Sequence, residues 1–177
     1  ASFNFPGSTI EANFQGSSLK MMCRPMTGYF MAQVDGSEPF KVGFNAERDS
    51  VGTLATALQM GVHHVKVMYV IEGLFRNPEF RGFVLDKGCK LVEAPALSDR
   101  KIEFIGNSIT CGYGVESIGM SDPFEDETEN HWLTYANIVS DSLKAQHTSI
   151  SRSGIGVYRN YDGPKTGSAE NMPWQYE

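Results

Sequence analysis

An apolar run over residues 101–105 stops abruptly at Gly106, and a small polar residue, Ser108, sits just past the stop. Such a run, closed by glycine, reads as a short buried strand ending in a sharp turn. Strand-then-turn is how α/β hydrolytic enzymes expose a nucleophile at the carboxyl edge of a sheet. A helical pattern follows over 130–146, where Trp132, Tyr135, Ala136, Val139 and Leu143 fall on one face. Thr128 or Asn130 can cap its start. A second strand is expected at 147–151, running into the glycine-rich Ser153-Gly154-Ile155-Gly156. Strand, helix and strand of these lengths make a βαβ unit, which requires a parallel sheet.

The preceding residues follow a different pattern. Residues 1–98 read as an all-β sandwich or jelly roll, with short alternating runs such as 18–23, 28–34, 40–44, 64–71 and 80–85. Gly16-Ser17, Asp35-Gly36, Asn77-Pro78 and Lys87-Gly88 punctuate them, and Asp35-Gly36 is a hairpin signal. The segment 95–100 reads as a linker, so the expected division is 1–98 and 99–177.

Composition narrows the function. A net charge of −6 argues against a nucleic-acid partner, because no basic patch is available to neutralise phosphates. No apolar run approaches the roughly 20 residues that a membrane-spanning helix needs. The chain opens at Ala1 without a signal peptide, and a processed or trimmed start is expected. The spacing of Cys23, Cys89 and Cys111 fits no zinc or redox motif, and three reduced, mostly buried thiols are expected. Cys111 reads as packing beneath the turn.

The string Gly106-Asn107-Ser108-Ile109-Thr110-Cys111-Gly112-Tyr113-Gly114 resembles the first signature block of the SGNH, or GDSL-type, esterases. It is closer still to the acetyl esterases of carbohydrate esterase family 2. The second block, from Ser151 through Gly154 and Gly156 to Arg159-Asn160-Tyr161, is also similar to that family. The resemblance implies an α/β SGNH-hydrolase-type three-layer domain, incomplete in this chain, preceded by the β-sandwich. It implies removal of O-acetyl groups from plant cell-wall polysaccharides or acetylated sugars through a serine acyl-enzyme. It also implies a secreted or periplasmic protein that needs no metal or organic cofactor.

Carried onto this sequence, the resemblance makes Ser108 the nucleophile, with its own N–H in the oxyanion hole. Ser108 also fits an ordinary turn or capping serine. Gly156 aligns with the glycine that gives a second oxyanion N–H, with Gly154 as the fallback; a plain flexible loop is the competing reading. Asn107 replaces the usual Asp of the signature and reads as a support residue, since an amide still accepts and donates. Tyr158 and Trp174 are the expected walls of a sugar cleft, whereas Trp132 reads as core. The acidic run 122–129 reads as a solvated loop.

Four histidines are present, His63, His64, His131 and His147, and each reads as structural or surface. The family's late Asp-x-x-His block and its Gly-x-Asn-Asp block do not occur in these 177 residues. A downstream segment or second chain is therefore expected to supply the catalytic histidine and the oxyanion asparagine. The rival reading is a non-catalytic carbohydrate-binding β-sandwich carrying an inactive hydrolase remnant.

Overall fold

The computed structural model describes residues 1–73 and 76–177. It is mostly β with few, short helices. Strands β1 (Thr9–Gly16), β3 (Gly28–Val34), β4 (Phe40–Phe44) and β6 (Gly61–Tyr69) form an antiparallel sheet in the order β1-β6-β3-β4. Strands β2 (Leu19–Cys23), β5 (Val51–Ala55) and β7 (Phe80–Leu85) form a second sheet in the order β5-β2-β7. The alternation in β2 shows why it sits as it does. Leu19, Met21 and Cys23 point into the core, while Lys20 points out.

One apolar core joins the two sheets. Phe14, Leu19, Met21, Phe30, Phe44, Val65 and Tyr69 are buried in it together. Its centre is aromatic: the Phe30 ring meets Phe44 at 5.9 Å and Tyr69 at 5.3 Å, both edge-on. The Tyr69 hydroxyl, at the bottom of this cluster, donates to Thr27 O at 2.9 Å, so its burial leaves no polar group unpaired. All five strands expected here form, though the fourth runs from Gly61 to Tyr69 and leaves Val70 and Ile71 buried beyond the ladder. The hairpin at Asp35-Gly36 is also present. Both residues have positive φ, 52° and 71°, and Ser37 N–H closes on Val34 O at 2.9 Å.

The remaining strands, β8 (Lys101–Gly106) and β9 (Gln146–Ser151), pair in parallel, with Lys101 opposite Gln146 and Gly106 opposite Ser151. Between them lie α1 (Ser108–Cys111), a 3-10 turn at His131–Leu133, and α2 (Tyr135–Ser142). A final helix, α3, covers Met172–Tyr176.

Two expectations are corrected here. The helix does not run over 130–146. Asn130 Oδ1 accepts Trp132 N–H and sets a 3-10 turn, Thr134 is extended, and Lys144 at φ 50° ends the element. The buried face of α2 is Ala136, Asn137 and Ser140, while Tyr135, Val139 and Leu143 are exposed. Nor is β8 fully buried: it alternates exposed and half-buried residues, and Ile105 is 50% exposed. A parallel strand is buried on both faces only when helices cover both. The contacts of this pair come mainly from α2 and α1.

Trp132 does pack on the first core, with the Lys66 ammonium 5.0 Å from its ring centroid. His131 N–H donates to Val70 O at 2.9 Å, tying the turn before α2 to the end of β6. Gly7, at φ 86°, lies against the rings of His131 and His147, where a Cβ would stand 2.8 Å and 3.0 Å from their Nε2 atoms. Among the described residues, no helix is long and apolar enough to cross a membrane.

Candidate active site

The turn after β8 is built by three residues. A Cβ on Gly106 would overlap the Thr110 hydroxyl, so only glycine lets the chain fold straight back into α1. Asn107 caps the helix: its Oδ1 accepts Ile109 N–H at 3.2 Å, and its carbonyl accepts Thr110 and Cys111 N–H at 3.0 Å. Gly112 closes it in the left-handed region at φ 93° and packs on the Asn130 backbone. Ser108 is thereby placed as the first residue of a one-turn helix, half-buried at the carboxyl end of a parallel strand. Among the described residues neither its hydroxyl nor its N–H has a hydrogen-bond partner, while its carbonyl accepts Gly112 and Tyr113 N–H.

Because Gly106 faces Ser151, the loop after β9 opens at the same sheet edge. Within that loop the two glycines differ. Gly156 N–H donates to Asn160 Oδ1 at 3.0 Å, and a Cβ there would overlap the Arg159 carbonyl. Its amide thus braces the loop's own turn. Gly154, exposed at φ 76°, has an N–H with no acceptor among the described residues. A cleft of about 980 Å³ lies beside this loop, lined by Ser153, Gly154, Tyr161 and Trp174 on one side and by Glu72, Tyr113 and Phe124 on the other. Tyr113 and Phe124 stack at 3.8 Å. Ser108, Gly156 and Tyr158 are not among its lining residues; Tyr158 instead covers Gly167.

Each histidine is engaged away from Ser108. His63 Nδ1 meets Asp35 at 2.6 Å, and His64 Nε2 meets Glu11 at 3.2 Å. His131 is fully buried; its Nδ1–H donates to Thr110 O at 2.8 Å. That leaves Nε2 of the neutral ring to accept from His147 at 3.1 Å and Ser149 at 3.2 Å. Burial and the neighbouring His147 pull His131 down to about 4. The pair is a neutral, load-carrying joint between α1 and β9.

The residues missed by sequence are two glutamates beneath the loops. Glu129, the last of the acidic run 122–129, is only 2% exposed, so it is not part of a solvated loop. Glu72 N–H donates to its Oε2 at 3.2 Å, and Glu72 Oε1 accepts Ser153 N–H at 2.6 Å. Burial first, then the Glu72 charge, pushes Glu129 up to about 8. Arg76 and Asp126 pair at the rim of the same cleft. Glu72, Cys111 and Glu129 each bring one donor atom within 4.8 Å of the others. Burial also raises the Cys111 thiol, so a cation there would have to displace two protons from groups that hold them at neutral pH.

These features define an architecture shared with carbohydrate esterases. A solved family 2 carbohydrate esterase from Clostridium thermocellum, in complex with cellohexaose, superposes with a TM-score of 0.86 at 34% identity over 99% of this chain and 53% of that one. Residues 1–95 match the family model described as carbohydrate esterase 2 N-terminal, and the chain belongs to carbohydrate esterase family 2. Among curated proteins it is 38% identical over 160 residues to the cellulase/esterase CelE of Acetivibrio thermocellus, covering 89% of this chain and 19% of that one. It is 28% identical to an acetylxylan esterase / glucomannan deacetylase of Cellvibrio japonicus, covering 91% of this chain and 44% of that one. The chain spans about half the length, or less, of the curated relatives it matches.

Proposed function

We propose that this chain carries the β-sandwich, residues 1–98, and the first part of the SGNH-type hydrolase domain, residues 99–177, of a secreted or periplasmic carbohydrate acetyl esterase. The observation that carries the reading is the Gly106-Asn107-Ser108 turn. It sets at the carboxyl end of β8 a hydroxyl and an N–H that have no partner among the described residues, opposite a glycine loop with a second such N–H. Ser108 Oγ attacks the acetyl carbonyl and gives its proton to a histidine. The tetrahedral oxyanion is held by the N–H groups of Ser108 and of a glycine after β9. The sugar oxygen leaves with the proton, and water then releases acetate from the acyl-serine. The four histidines here face elsewhere, so that base and an oxyanion asparagine come from the portion of the relatives' length beyond this alignment. Exposed Ile105, Val139 and Leu143 fit further strands and helices closing over the two-stranded sheet. The reaction as written uses no metal or organic cofactor.

For Gly156 to act as the second donor its bond to Asn160 must open, whereas the Gly154 N–H has no acceptor among the described residues. The substrate class, acetylated xylan or glucomannan, rests on the names of the relatives. The test is hydrolysis of an activated acetyl ester and of acetylated xylan by the full-length protein and its Ser108→Ala variant. Loss of turnover with retained fold supports the reading, and an active variant overturns it.

A second reading, non-catalytic glycan binding, is favoured by the aromatic cleft and by the cellohexaose bound to the Clostridium thermocellum relative. Cello-oligosaccharide binding that survives Ser108→Ala, with no hydrolysis by the wild type, would select it.

A further inference from the structure

Glu72 lies just beyond β6, yet it bonds the loop after β9 and lies close to the helix that carries Ser108. Its Oε1 accepts Ser153 N–H at 2.6 Å, a contact that spans 81 residues of sequence. Its carboxylate is also within 4.8 Å of the sulfur of Cys111, which closes the Ser108 helix. Ser153 directly precedes Gly154, whose N–H has no acceptor among the described residues. A short bond to a carboxylate is the stronger kind of amide anchor. It fixes the Arg152–Ser153 peptide, and the turn bond from Ile155 N–H to Arg152 O at 3.2 Å carries that hold across the Ser153–Gly154 peptide between them. An oxyanion donor works only when its direction is set before charge develops, because reorientation during the reaction forfeits the gain.

Resting on the esterase reading above, we propose that Glu72 is a positioning residue for the oxyanion site, its carboxylate holding the Ser153-Gly154 backbone so that Gly154 N–H faces the acetyl oxygen. Glu129 backs it from the buried side through the Glu72 N–H bond and, held protonated by burial, adds no second negative charge under the loop. The β half of the chain thereby reaches into the chemistry through one side chain.

The experiment compares Glu72→Ala and Glu72→Gln in the full-length protein, with Ser108→Ala alongside. Glutamine keeps an oxygen where Ser153 N–H needs one; alanine does not. Glu72→Ala is expected to lower kcat by about 100-fold with KM within about twofold, the mark of a misplaced donor and not of lost binding. Glu72→Gln is expected to recover most of kcat. The Ser153 amide proton resonance, far downfield in wild type, stays downfield in Glu72→Gln and moves upfield in Glu72→Ala. An unchanged kcat in Glu72→Ala, or Glu72→Gln as slow as Glu72→Ala, overturns the proposal. If Glu72→Ala does not fold, Glu72→Gln and the wild-type Ser153 resonance decide: a wild-type resonance at an ordinary position overturns it. An active Ser108→Ala variant would instead remove the esterase reading itself while leaving the Ser153 resonance result standing.

Discussion

The Nδ1–H of His131 donates to the carbonyl of Thr110 across 2.8 Å, so the helix that presents Ser108 is fastened from behind by a buried neutral imidazole. The other nitrogen of that ring is held between His147 and Ser149 of β9. The first and second loops of the candidate site are therefore braced by one side chain.

That joint predicts an acid-sensitive fold. Burial lowers His131 from 6.5 to about 4, and burial also lowers His147. The folded state therefore binds fewer protons than the unfolded chain between those values, so stability is present above about pH 6.5 and falls as pH drops toward 4. Chemical denaturation should show His131→Ala about 2–4 kcal/mol less stable than wild type at pH 7, with the gap shrinking at pH 4.5. A gap unchanged between the two pH values would sink the idea.

Glu129 predicts the opposite slope. Its carboxyl is raised from 4.5 to about 8, so the folded state holds a proton that the unfolded chain releases. Its contribution is fully present below about pH 4.5 and is lost as pH rises toward 8. Glu129→Gln mimics the protonated form, so its melting temperature should exceed that of wild type most clearly near pH 8. A variant that melts lower than wild type at pH 8 would contradict the assignment.

Gly106→Ala tests the turn. The added Cβ meets the Thr110 hydroxyl, which is itself bonded to Tyr135 Oη at 2.7 Å and has little room to retreat. We expect a loss of about 2 kcal/mol from overpacking and, in the full-length protein, about 100-fold in kcat from displacement of Ser108. Thermal melts and initial-rate kinetics on one preparation separate the two effects.

The cysteines give a chemical test of packing. All three are free, Cys23 and Cys111 buried and Cys89 half-exposed. Burial pushes Cys23 up to about 12 and raises Cys111 as well, so neither supplies thiolate near pH 8. A thiol reagent should label only Cys89 in the native protein and all three after unfolding, as mass spectrometry would show.

Much of this was legible because it is local. The apolar run closed by Gly106, the alternation in β2 and β3, and the Asp35-Gly36 turn each depend on neighbours in sequence. The helix start was misread because Asn130 caps a 3-10 turn, and a periodic stripe does not reveal a Thr134 held extended. Glu72 and Glu129 were invisible for a different reason. One follows a strand and the other ends an acidic run, and nothing nearby marks either carboxyl as buried; only the meeting of distant segments does. The likeness of the second block singles out the loop after β9, and the Asn160 contact that engages the Gly156 amide is not legible from spacing.

Gly7 lies against imidazoles contributed by positions 131 and 147, and its N–H is fixed to Tyr69 O at 2.8 Å. During synthesis residue 7 is delivered well before either histidine. The segment around Gly7 can dock on β6 as soon as that strand forms, but the histidine seat beneath it stays empty until residue 147 has emerged. A segment made early thus completes its packing only when a strand made about 140 residues later arrives.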